Sequence, residues 1–242
     1  MVEAISRTST NRVRVPVMLH GWKILTFLHW RYEPAVVQAL LPSGLEVDTH
    51  DGSAWVGLTP FRITVTVPGV PPVPGLSTFP ETNCRTYCVG PDGRRAVWFF
   101  SLDVSRLAVV AAARATYGVP YQWAQMQVYD EGSRIRYASR RKGDREVRNR
   151  LEVEVGEPIA ERDVSELDNF LTARWGLYST TPVGLIYAPV EHQPWPLTEA
   201  RVVTLDQTIV SAAGLPAPAG DPLVHFSPGV DARIGAPKRV GR

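Results

Sequence analysis

The sequence predicts a mainly β chain of the α+β class, an open or barrel-like antiparallel sheet with a few helices outside it. Three observations carry that reading. Nine segments are rich in β-branched and aromatic residues and bounded by Gly, Pro or Asp. Two turn sequences, PDGR at Pro91–Arg94 and RKGD at Arg141–Asp144, join neighbouring segments as hairpins. Helical segments are few and do not alternate with strands, as a parallel α/β sheet would require.

The expected strands, in order, are Met18–Trp30, Ala54–Val67, Thr82–Val89, Ala96–Leu102, Ala124–Tyr129, Arg134–Arg141, Arg145–Val155, Gly184–Glu191 and Ala200–Leu205. A short last strand is expected near Leu223–Phe226, after a Pro- and Gly-rich stretch. Three segments read as helices. EPAVVQALLPSG places Pro34 in a first turn and stops before Pro42 and Gly44. DVSRLAVVAAARATYG offers Asp103 or Ser105 as a cap and Gly118 as the stop. SELDNFLTARWG starts with Ser165 and carries Asp168 three residues on, a capping-box variant. Residues 1–16 read as a mobile lead-in, 17–235 as one domain and 236–242 as a frayed tail.

Composition narrows the function. The 242 residues are 44% apolar, enough for a full core, and the net charge is +2. Near-neutral balance gives no footprint for nucleic acid. The arginine-rich run RIRYASRRKGDREVRNR fits a solvated hairpin, with Ile135, Tyr137, Val147, Leu151, Val153 and Val155 inward and Arg and Glu interleaved outward. No stretch approaches the roughly 18 apolar residues of a membrane span, and the first 15 residues lack a signal-peptide core. The two cysteines, Cys84 and Cys88, sit about 13 Å apart if the segment is a strand. They read as reduced, small apolar residues of a cytoplasmic protein. No histidine pair has metal-ligand spacing, and there is no nucleophile elbow, phosphate loop or dinucleotide fingerprint. Neither a metal nor a cofactor is expected.

One strand holds the main candidate site. FPETNCRTYCVG alternates strictly, with Thr82, Cys84, Thr86 and Cys88 on one face and Glu81, Asn83, Arg85 and Tyr87 on the other. The cysteine face reads as core. For the polar face two readings stay open: a solvated outer surface, or the lining of a pocket that orients a ligand. Glu81 and Arg85 share this face and are expected to pair with each other when such a pocket is empty. VEHQPWPL, with His192 and Trp195 beside two prolines, reads either as a pocket rim or as packing.

Several blocks, among them MLHGWKILTFLHW, PETNCRTY, WFFSLD, ARATYGVPYQWA, FLTARWGLY and VEHQPWPL, occur in an order that resembles the YqjF-like family of uncharacterised bacterial proteins, over roughly Met18–Asp231. That resemblance implies the acetoacetate decarboxylase-like fold, a curved antiparallel β-barrel around a small pocket. The decarboxylases carry a comparable block in which Arg, Gly and Pro are followed by two lysines, and the first lysine forms a Schiff base with the ketone. Here Arg114, Gly118 and Pro120 match, but Tyr121 and Gln122 stand in place of the lysines. The resemblance thus implies that Tyr121, Gln122 and neighbouring Trp123 face the pocket, and that Glu81 is similar to a pocket glutamate. Schiff-base chemistry needs a primary amine, and the chain has only three lysines, Lys23, Lys142 and Lys238. Lys23 is the one candidate for a relocated amine.

The expected function is binding of a small carbonyl- or carboxylate-bearing metabolite. As an enzyme it would use Glu81 as acid or base, Tyr121 as oxyanion donor and Arg114 or Arg85 as carboxylate holder. Asn83, Arg85, Tyr87, Gln122 and Trp123 would contact the ligand. As a non-catalytic carrier or sensor it would use the same residues to orient the ligand. A homodimer through an exposed strand edge is also expected.

Overall fold

The computed structural model describes residues 2–9, 12–107, 110 and 117–240. In chain order the elements are β1 (Met18–Tyr32), α1 (Pro34–Gln38), β2 (Glu46–Val47), β3 (Ala54–Thr66), β4 (Thr78–Val89), β5 (Arg95–Val104), β6 (Tyr121–Asp130), β7 (Arg134–Arg141), β8 (Arg148–Pro158), α2 (Glu166–Thr172), β9 (Gly176–Thr181), β10 (Gly184–His192), β11 (Thr198–Gln207), α3 (Ile209–Ala212), β12 (Leu223–Ile234) and β13 (Lys238–Arg239). Every expected strand is present. Strands β2, β9 and β13 and helix α3 were not expected; all are six residues or shorter, too short for a periodic signal. Half of the expected 103–118 helix, residues 108–109 and 111–116, lies outside the described residues; Asp103, offered as its cap, belongs instead to β5.

The strands form one sheet that closes on itself twice. Pairing of β4 with β5 closes a nine-stranded barrel of β5, β6, β7, β8, β11, β12, β1, β3 and β4. Pairing of β10 with β12 closes a second, seven-stranded ring of β1, β3, β4, β5, β9, β10 and β12. The antiparallel expectation holds except at β5, which runs parallel to both β6 and β9, so the barrel is mixed. With β6 the parallel overlap is three residues, Leu102–Val104 against Tyr121–Trp123, after which β6 runs on past the end of β5; parallel neighbours need a connection longer than a hairpin.

The two rings share β1, β3, β4, β5 and β12, so shared strands bury both faces. Strand β4 shows this directly. Cys84 packs with Leu28, Leu58, Ile135 and Leu151 inside the nine-stranded barrel. Asn83, one residue away, faces the other ring and is also buried. Two bulges keep the faces aligned. In β1 the register shifts between Lys23 and Leu28, and Ile24 takes φ +51°. Before it Met18, His20 and Trp22 face the second ring; after it Leu25 and Phe27 do. A bulge inserts one residue and so reverses the alternation. The second shift opposes Cys84–Arg85 to Ser101–Phe99 on β5.

The capping reading of α2 is confirmed: Ser165 Oγ accepts from the Asp168 N–H, and Asp168 accepts from the Ser165 N–H. Helix α1 begins at Pro34 as expected. In the basic hairpin, Arg134 stands opposite Glu154 and Arg136 opposite Glu152, while Ile135, Tyr137, Leu151 and Val153 are buried. The N-terminal segment lies against the barrel: Trp175 Nε1 donates to Ser6 O at 2.9 Å, and Val13 N donates to Glu191 at 2.6 Å.

Candidate functional site

The nine-stranded barrel is filled with side chains; the seven-stranded ring encloses a cavity of about 310 Å³. Its walls are mostly apolar, with Leu25, Phe61, Ile63, Phe79, Leu102 and Trp195 prominent. Polar groups enter chiefly from β4, where Glu81, Asn83 and Arg85 all line it. The polar face of the FPETNCRTY strand is therefore a cavity wall and not a solvated surface.

Glu81 is the most perturbed acid in the lining. It is 3% exposed, and burial, against bonds from Tyr121 and Asn83 and with some repulsion from Asp103, pushes its carboxyl up to about 8. Tyr121 Oη donates to Glu81 Oε2 at 3.0 Å. Burial, then the neighbouring Glu81, holds the Tyr121 phenol well above its ordinary range, so it stays a donor. Asn83 also bonds Glu81, and its Oδ1 has no partner. At neutral pH the carboxyl carries its proton in a mainly apolar space. It can give that proton up near pH 8, and Tyr121 and Asn83 are placed to stabilise the anion.

The turn ahead of Tyr121 is set by Gly118. Its φ is +62°, and a Cβ there would lie 2.1 Å from the Thr180 carbonyl oxygen. Val119 and Tyr117 also line the cavity, and Tyr121 begins β6 paired with Leu102 of β5. Of the large side chains that follow this turn, Tyr121 forms part of the cavity wall.

Other expected residues fall elsewhere. Gln122 alternates to the opposite face of β6 from Tyr121 and does not line the cavity. Trp123 is 41% exposed and packs against Lys142, because β6 leaves β5 after this residue. Tyr87 lies behind the wall: its hydroxyl donates to Leu171 O at 2.6 Å and meets His29 Nε2 at 2.7 Å. Arg114 lies outside the described residues. The expected Glu81–Arg85 pair is not formed. Four residues of strand separate them, about 13 Å between Cα atoms, and no ion pair joins them among the described residues. Arg85 donates instead to Leu171 O at 3.3 Å and Tyr87 Oη at 3.4 Å. Lys23 is no relocated amine: it points outward and pairs with Asp231 at 3.1 Å.

Residues that sequence reasoning missed complete the wall. Arg174, buried just after α2, lines the cavity and donates to Asp48 at 3.0 Å. Its position inside FLTARWGLY, a charge amid apolar residues, was the available signal. His20 and His192 also line the cavity, and burial lowers both to about 4, so both are neutral. His192 sits among Trp22, Trp175 and Trp195, with ring centres 4.7–5.7 Å away. VEHQPWPL thus supplies part of the cavity wall. No group of three or more metal-ligating side chains occurs among the described residues.

Comparison with known proteins fits this geometry. Residues 20–231 match DUF2071, described as an uncharacterised conserved protein. The chain belongs to that family. It is 36% identical over 214 residues to the uncharacterised protein YqjF of Bacillus subtilis (strain 168), covering 87% of each chain. Among solved structures it resembles an acetoacetate decarboxylase-like enzyme from Sphingomonas wittichii RW1, with a TM-score of 0.64, 17% identity and 96% of each chain covered. It also resembles the enduracididine biosynthesis enzyme MppR, complexed with the condensation product of pyruvate and imidazole 4-carboxaldehyde, with a TM-score of 0.66, 16% identity and 95% of this chain and 91% of that one covered. The fold is therefore acetoacetate decarboxylase-like. No helix among the described residues is long and apolar enough to cross a membrane.

Proposed function

We propose that this DUF2071 protein binds a small carbonyl- or carboxylate-bearing molecule in the seven-stranded ring and moves a proton on it through Glu81. The observation that carries the reading is a buried carboxyl, shifted to about 8 and bonded by Tyr121, inside an otherwise largely apolar cavity. Glu81 donates or removes the proton, Tyr121 donates to the oxygen that gains charge, and Arg85 or Arg114 holds a carboxylate or enolate. This suits enolisation, hydration–dehydration or a lyase step without a cofactor. Schiff-base decarboxylation does not fit, because none of the three lysines lines the cavity. The neighbour MppR, solved with a pyruvate-derived product, supports a ligand of this size in this fold. Two free, buried thiols suit a reducing compartment such as the cytoplasm.

The mainly apolar lining favours a second reading, a carrier or sensor that binds without turnover. Proton exchange separates the two. In D₂O, a panel of 2-oxo and 3-oxo acids is followed by NMR for loss of carbon-bound protons. Exchange accelerated by the protein and reduced more than tenfold by Glu81→Gln is the expected result. Absence of exchange across the panel leaves the binder, and undiminished exchange in the variant removes Glu81 from the chemistry.

A further inference from the structure

One cation on the cavity wall has no bonded counter-charge. Arg85 lines the wall without an ion-pair partner among the described residues. Its contacts are two neutral oxygens at 3.3 and 3.4 Å, both long for a guanidinium, and its Nε has no acceptor. A second arginine, Arg174, 6% exposed, also lines the cavity. The two guanidinium carbons lie 5.7 and 4.8 Å from the centre of the same Tyr87 ring. Arg174 reaches Asp48 through one nitrogen only; its Nε and the other terminal nitrogen have no acceptor. Asp48 is in turn bound by Arg95, whose backbone N–H bonds Glu3. Asp168, the acid on α2, is engaged by its own helix cap and by His225. Of these arginines only Arg85 bonds no carboxylate among the described residues. Glu81, four residues away along β4 and protonated at neutral pH, forms no ion pair with it.

An uncompensated cation in a low-dielectric site is costly and calls for a counter-charge. From this we infer that Arg85 seats the carboxylate of a monoanionic organic acid whose apolar body runs along the Phe61–Leu25 wall and whose far end reaches Glu81 and Tyr121. The inference rests on the cavity being a ligand site, as proposed above. It goes further by placing the anion at the opposite end of the β4 wall from the proton-transfer carboxyl. About ten water-sized groups fill 310 Å³ at ~30 Å³ each, so a mid-sized acid suits the space.

The test uses 4-phenylbutyrate and its methyl ester as probes, titrated calorimetrically into the full chain. The acid is expected to bind at least tenfold tighter than the ester, and Arg85→Gln is expected to reduce that preference to less than threefold. Equal binding of acid and ester by the native protein overturns the inference, as does failure of both to bind up to millimolar concentration. An acid preference that survives in folded Arg85→Gln overturns it too. Should that variant not fold, the acid–ester comparison in the native protein decides alone. Phenylbutyrate has no carbonyl to enolise, so this result is independent of the proton-exchange assay. Either reading can fail while the other stands.

Discussion

Two rings share five strands, yet one is packed solid and the other is hollow. In the nine-stranded barrel, Leu28, Leu58, Cys84, Ile135 and Leu151 interdigitate with almost no exposure. In the seven-stranded ring, equally buried walls leave about 310 Å³ between them, and some polar atoms there, such as Asn83 Oδ1 and His20 Nε2, lack partners among the described residues. The difference lies in closure. Helices α1 and α3 contribute Val37, Ile209 and Val210 to the barrel core. At the hollow ring α2 packs Phe170 and Leu171 against Tyr87 and Val97, and the space beside Thr172 and Arg174 stays open. One side of each shared strand is therefore selected for packing, and the other for what it leaves open.

The largest effect expected from this contrast is on stability. Leu58 is fully buried in the filled barrel, so Leu58→Ala should destabilise the protein by about 2–5 kcal/mol. Its neighbours on β4 sharpen the point. Cys84→Leu adds volume to a packed core and should cost about 1–3 kcal/mol. Asn83→Leu, one residue along and facing the cavity, fills open space and removes an unpartnered Oδ1. It should be neutral or stabilising. Urea denaturation of the two variants checks this, and equal losses in both would mean that the second ring is not hollow in solution.

The β4 pattern was legible because strict alternation survives burial on both faces: FPETNCRTYCVG separates Cys84 from Asn83 whichever face is core. Other parts of the site were not legible, for physical reasons. The Ile24 bulge reverses the alternation of β1 at a β-branched residue with positive φ, a conformation no propensity favours. Trp123 shares strand parity with Tyr121 but lies where β6 departs from β5, and only the pairing register reveals that. Arg174 depends on Asp48, 126 residues away. Parallel pairing of β5 is likewise a property of topology, invisible in any local window.

A second difference between the rings is electrostatic, and pH should expose it. In the native protein Glu81 keeps its proton up to about pH 8, whereas in the unfolded chain it loses it near 4.5. Between those values the native state holds the extra proton, so this group makes stability fall as pH rises from about 4.5 through about 8, and adds no further change above that. His20 and His192, lowered to about 4, act in the opposite sense between about 4 and 6.5. Comparing the native protein with Glu81→Gln cancels the histidines. The variant should match the native protein near pH 4 and exceed it at pH 9, by on the order of 5 kcal/mol at most. A difference that does not change with pH would show that the carboxyl is solvated and has no raised pKa.

A smaller effect is expected in function. Glu81→Gln preserves shape and most hydrogen bonding, so it should stay folded while ligand exchange or binding falls more than tenfold, about 1.4 kcal/mol. Trading stability for function in this way belongs to the hollow ring alone. The matching change in the filled barrel, Cys84→Ser, alters a residue of similar size that does not line the cavity and should leave exchange unaffected while lowering stability.

The smallest effect is spectroscopic, and it separates inside from outside on the hollow ring itself. Trp195 lines the cavity, is 8% exposed, and stacks on Trp22 with ring centres 5.8 Å apart. A ligand entering the cavity replaces open space against that ring pair and should change its emission. Trp123 lies on the outer surface beside Lys142, so the same ligand should not reach it. With seven tryptophans the total signal is diluted, and the comparison has to be made by substitution. Saturating the protein with 4-phenylbutyrate should shift fluorescence in the native chain and in Trp123→Phe alike, and the shift should be mostly lost in Trp195→Phe. The reverse pattern would place the ligand on the outer face of β6. The decarboxylase-like turn at Gly118–Tyr121 would then be a surface feature, and Glu81 would belong to the structure and not to the site.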